Sequence, residues 1–125
     1  MKLGRILLGV AAAILFTAAA FHASGAAQAA SWAQGTRGEI LRLLWAVPTI
    51  DWAVVGIIWL AIAWYDDRRL APLVWISACI PVLVAVLLVK AVGIAFPGSW
   101  LLAAAALLAV VGATRLGQAE PSATT

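Results

Sequence analysis

Four long stretches of this chain carry almost no charge, and that pattern constrains its architecture more than anything else in the sequence. No Lys, Arg, Asp or Glu occurs between Arg5 and Arg37, and Asp51 is the only charge in residues 43–65. Residues 70–89 carry none, nor do residues 91–114, where Pro97-Gly98-Ser99 interrupts the apolar run. A helix rises 1.5 Å per residue, so about 20 apolar residues cross a hydrocarbon core of about 30 Å. The runs predict membrane-spanning helices at residues 5–23, 47–65, 72–94 and 99–115.

Composition supports this reading. The 125 residues leave room for one domain, and 66% of them are apolar while 10% are charged. Soluble domains hold about 45–50% and about 25% respectively, and a domain this small cannot hide so much apolar surface from water. The expected fold class is an all-α integral membrane protein, a four-transmembrane-helix bundle with the lipid bilayer as its solvent. The net charge of +3 does not point to nucleic acid, because the eight basic residues stand singly or in one pair and form no stripe interleaved with aromatics.

The connections fit four spans. Asp66-Asp67-Arg68-Arg69 reads as a short, self-compensating polar turn, and Pro72 stands where a first-turn proline is tolerated. Pro97-Gly98 gives a turn signal before the last span, and residues 118–125 read as a disordered polar tail. In the first connection Thr36-Arg37-Gly38-Glu39 has the pattern of a capping box. Ile40, Leu41, Leu44 and Trp45 then share a face opposite Glu39 and Arg42. Residues 36–46 thus read either as an outer amphipathic segment before the second span or as an N-terminal extension of it, with Gly38 weakening the helix and Pro48 marking an end or kink.

Basic residues set the expected orientation. Lys2, Arg5, Arg68, Arg69 and Arg115 fall on one side of the spans, and Arg37, Arg42 and Lys90 on the other. The positive-inside bias then places both termini in the cytoplasm of a multi-pass protein of the inner (plasma) membrane, as in many small bacterial membrane proteins of similar composition. A rival reading makes residues 1–29 a cleaved signal peptide ending at Ala27-Gln28-Ala29, which would leave three spans. Trp45, Trp52 and Trp100 towards one interface and Trp64, Tyr65 and Trp75 towards the other read as an aromatic belt, and Trp59 falls mid-span as a packing or lipid-facing residue. Gly9 and Ala13, with Ala105, Ala109 and Ala113, give small faces for close helix approach. Pro81 should disturb the third span, and Cys79, the sole cysteine, reads as a buried small hydrophobe.

The candidate site residues are His22, Asp51 and Lys90, ionisable groups within apolar runs where function is the default suspicion. Asp51 and Lys90 lie about equally far from a turn centred near residue 70. Lys90 is 18 residues from Pro72 and His22 is 17 from Arg5, about 27 and 26 Å of helix. All three therefore approach the outer interface. They form either a polar cluster for an anionic or polar ligand, or an ordinary set in which Lys90 snorkels, Asp51 caps or pairs, and His22 meets water. An Asp51–Lys90 ion pair is the intermediate case.

No second histidine supports a metal, and no nucleophile elbow, phosphate loop or CxxC occurs. No cofactor is expected. The function expected is a non-enzymatic accessory or assembly-type subunit, with a membrane-protein partner or a homo-oligomer. The alternative is a small carrier or binding protein for an apolar or anionic ligand. A membrane enzyme with His22 as acid or base stands third, since no accompanying site is visible.

Overall fold

The computed structural model describes residues 2–118. It is built from α1 (Leu3–Ser24), α2 (Ala26–Ser31), α3 (Thr36–Tyr65), a 3-10 turn (Arg68–Leu70), α4 (Ala71–Val92) and α5 (Pro97–Thr114). No strand occurs among the described residues. Four of these helical segments are long and apolar enough to cross a membrane. Apart from Gln118, the tail expected from residue 118 lies outside the described residues.

Packing explains the arrangement. The buried residues of α1, Gly4, Leu8, Ala11, Ala12, Leu15, Ala18 and Ala19, recur at three- and four-residue spacing and so share one stripe. α1 packs against α3 on one side and α5 on the other, while α4 packs against α5. α3 and α4, although consecutive, touch each other least among these neighbours. One fully buried side chain crosses that loose seam: Trp59 donates its indole N–H to the Ser77 hydroxyl at 2.9 Å, and Ser77 donates to the Val74 carbonyl at 3.1 Å.

The small faces are only partly those expected. Ala105, Ala109 and Ala113 are fully buried on α5. On α1, however, Ala13 is exposed and a Cβ on Gly9 would meet nothing within 4 Å. The closest approach is instead between Gly4 and Gly112, where a Cβ on Gly4 would lie 2.8 Å from the Gly112 carbonyl oxygen. The contact stripe of α1 runs through Gly4, Leu8 and Ala11, which turns Gly9 and Ala13 away from α5. Cys79 also differs from expectation, since its thiol is on the exposed side of α4.

The 36–46 segment is not separate. α3 runs unbroken from Thr36 through Pro48 to Tyr65, so the extension reading holds and the distinct amphipathic segment does not. The capping box does not form: Gly35 is the N-cap and no side chain caps the helix. Gly35 takes a positive φ of 59°, which places Thr36 already inside the helix, one position too late to cap it. The six-residue α2, unforeseen in the sequence, lies alongside α3. The Pro97-Gly98 signal also shifts in meaning. Gly93, at φ 110°, ends α4, and Pro97 is already the first residue of α5.

At one end of the bundle, Asp66 ties three segments together. It caps α3 in the left-handed region at φ 52°. Its carboxylate pairs with the Lys2 ammonium at 2.8 Å and accepts the Gly117 N–H at 3.2 Å. The start of α1, the α3–α4 turn and the end of α5 therefore meet, bringing Lys2, Arg68, Arg69 and Arg115 to one end, as their spacing predicts. Asp66 pairs with Lys2 and not with the neighbouring arginines of a self-compensating turn, since this is the one ion pair among the described residues.

The Lys2 ammonium, assisted by the Gly117 amide, holds the Asp66 carboxyl below its ordinary value against a smaller opposing effect of burial. A carboxyl depressed in the folded state contributes stability above its unfolded pKa of about 4 and loses that contribution as pH falls through the folded value. Asp66→Asn keeps a residue tolerant of the left-handed region and removes the charge. Thermal melts from pH 7 to pH 3 should show a small loss at neutral pH, up to about 1 kcal/mol for a surface pair. The difference from the parent should shrink below pH 4. An unchanged difference across that range would uncouple the carboxylate from folding.

Candidate functional site

The other end of the bundle gathers most of the remaining polar chemistry. α1 ends with His22 in its last turn, where the ring lies flat on Trp45 of α3, centroids 4.6 Å apart and planes 3° from parallel. Trp52 meets the same ring edge-on at 5.2 Å. Trp45 also donates its indole N–H to the His22 carbonyl at 2.7 Å, occupying an acceptor left open at a helix C-terminus. Gly25 admits this indole, since a Cβ there would stand 3.3 Å from Trp45 Cζ2. Trp45, Thr49 and Trp52 are four and three residues apart and so share one face of α3.

His22 Nε2, Thr49 Oγ1 and Trp52 Nε1 are buried without a hydrogen-bond partner in this corner. Trp52 Nε1 donates, Thr49 Oγ1 can donate and accept, and His22 Nε2 does one or the other according to the imidazole tautomer. The corner is therefore an aromatic slot with unspent polar atoms. No three His, Cys, Asp or Glu side chains come together among the described residues.

The three expected site residues do not form one cluster. Asp51 is exposed on α3, and its side chain emerges about 100° around the helix from that of Trp52, which faces the histidine. Lys90 is exposed in the last turn of α4, on the far side of the loose α3–α4 seam. No Asp51–Lys90 ion pair forms. Their depths differ as well. Asp51 stands 14 residues before the end of α3 at Tyr65 and Lys90 stands 19 after the start of α4 at Ala71, about 21 and 28 Å of helix. The hairpin is asymmetric because residues 66–70 are taken up by the turn, which moves its centre towards α3.

Lys90 instead borders a groove of about 390 Å³ between α4 and α5, lined also by Ala85, Val86, Ser99, Trp100 and Ala103. Ser99, in the first turn of α5, is 2% exposed, and its hydroxyl is buried without a partner. Trp100 is held at the groove by donating its indole N–H to the Ile94 carbonyl at 2.8 Å. The sequence reading missed Trp45, Thr49 and Trp52 as the surroundings of His22, and Ser99 beside Lys90. The spacing of the first three on a helix face was available. The exposed Trp64, Tyr65, Trp75 and Trp100 have the character of belt residues, whereas Trp52 is 5% exposed and belongs to the core.

No family model, curated protein or solved structure matches this chain. Its function must be argued from the geometry.

Proposed function

We propose that this chain is a non-enzymatic, multi-pass membrane protein of accessory or assembly type, with both termini cytoplasmic, that binds a membrane partner through the outward side of α3. The observation that carries this reading is Asp51, an exposed carboxyl without an ion-pair partner among the described residues. It is set among exposed Val47, Ile50, Val54 and Ile57. Its position about 21 Å along α3 lies inside a hydrocarbon core of about 30 Å. A lone carboxylate facing lipid is costly, and such groups ordinarily pair or face a protein interior. A partner helix offering a basic or hydrogen-bond-donating side chain at that level removes the cost. Leu43, Val47, Ile50, Val54, Ile57, Ala61 and Trp64 are exposed at alternating four- and three-residue steps. That is the seam along which a second helix packs.

The remaining chemistry supports a non-catalytic role. Trp59 and Ser77 serve packing, and His22 lies between two indoles. A photo-crosslinking residue at Ile50 or Ile57 in native membranes should give one discrete adduct. The same residue at Leu83 of α4 should give none. Asp51→Leu should abolish the α3 adduct and Asp51→Glu should preserve it. A chain that crosslinks only to lipid from both α3 positions has no such partner.

A further inference from the structure

The α4–α5 groove has the layout of an amphiphile site. Its polar groups lie at the end of the bundle and its apolar floor lies deeper. Lys90 is five residues beyond Ala85, and Ala103 is four beyond Ser99 on the antiparallel α5. The floor therefore sits about 6–8 Å below the polar mouth. Ala85 and Ala103 keep that floor shallow, and among the described residues no carboxylate lines the groove. A volume of about 390 Å³ falls in the range of small-molecule sites.

The exposed lining of the groove is almost wholly apolar, and two of its lining residues, Lys90 and Ser99, carry polar side-chain groups. Lys90 supplies a cation at the rim, and Ser99 supplies a hydroxyl that is 98% buried yet lacks a partner. A buried hydroxyl without a hydrogen bond is costly, and a ligand oxygen reaching it would relieve that cost. The N-terminal turn of α5 adds a positive dipole end at the same place.

We propose that this groove binds an anionic amphiphile, its acyl chain lying over Ala85 and Ala103 and its headgroup anion held by the Lys90 ammonium and the Ser99 hydroxyl. The inference rests on the chain lying in a bilayer, as proposed above, but not on a partner at Asp51. The headgroup can be the phosphate of a bilayer lipid or the carboxylate of a free fatty acid, because both present an anionic oxygen on an acyl chain.

Quenching of Trp100 by brominated acyl chains tests it. The Trp100 signal is taken as the difference between the full protein and its Trp100→Phe variant in phosphatidylcholine vesicles. Retention of the protein in the vesicle pellet after carbonate washing first establishes insertion. Loss of the protein at that step would overturn the membrane reading, separately from the site. Brominated phosphatidylglycerol or brominated fatty acid should half-quench Trp100 at about tenfold lower mole fraction than brominated phosphatidylcholine. Whichever anion does so identifies the source.

Lys90→Gln should remove most of that preference and Lys90→Arg should retain it. Ser99→Ala should weaken it about three-fold or more. Arg37→Gln, a cation outside the groove, should leave it intact. Equal quenching by all three lipids, or a preference that survives Lys90→Gln, would overturn the proposal.

Discussion

Trp59→Ala is expected to lower the stability of the bundle by about 3 kcal/mol, at the lower end of the range for truncating a buried Trp. The residue is fully buried and bridges α3 to α4, two long helices with little other contact. The lower end applies if the bundle lies in lipid, as proposed above, because lipid is as apolar as the core, so the transfer part of the cost shrinks and lost packing dominates. Trp59→Phe separates volume from hydrogen bonding and should cost less, with about 1 kcal/mol of it from the lost bond to Ser77. Trp59→Phe combined with Ser77→Ala should then cost less than the sum of the two single changes, since both remove the same interaction. Unfolding followed by tryptophan-independent circular dichroism in mixed micelles reads all four proteins. A Trp59→Ala protein as stable as its parent would mean that the α3–α4 seam is held elsewhere.

Gly38→Ala carries the second large effect, and here local and tertiary physics predict opposite signs. In an ordinary helix interior, alanine is favoured over glycine by about 1 kcal/mol. At Gly38, however, a Cβ would stand 2.5 Å from the Ala33 carbonyl oxygen and 2.8 Å from that of Ala30. Both are backbone atoms and cannot turn aside as a side-chain tip does. The substitution should therefore push α2 and residues 32–35 off α3, with a net loss of about 1–3 kcal/mol typical of overpacking. Hydrogen exchange should rise across residues 26–35 before it rises in α1 or α5. A Gly38→Ala protein that is more stable, with unchanged exchange there, would show that α2 does not hold this position.

The same glycine illustrates what was legible in the sequence. Gly38 reads as a weak point in a helix when only propensity is considered. In the fold it is the place where α2 and α3 touch backbone to backbone. The capping box at Thr36-Arg37-Gly38-Glu39 failed for a related reason, because Gly35 starts the helix one residue earlier. Pro48 did not end the helix, since a proline removes one backbone bond while packing along α2 and α1 continues on either side. His22 was visible as a residue worth watching, but its indole neighbours come from residues 23 and 30 positions further on. No local pattern around His22 encodes them.

What the sequence determined by itself was the presence of four helices long and apolar enough to cross a membrane, and the gathering of Lys2, Arg68, Arg69 and Arg115 at one end. Those follow from run length, helical rise and short turns, which are local quantities. Only the tertiary structure decided the rotation of each helix about its own axis. In a soluble helix the apolar stripe announces the buried face. Here nearly every face is apolar, exposed as well as buried, and hydropathy does not tell the two apart. Steric fit decides instead, through Gly4 against Gly112 and Trp59 across the seam. That fit turned His22 towards two indoles, Asp51 outward and Lys90 to a separate groove, dividing among three places the residues that depth alone had put together.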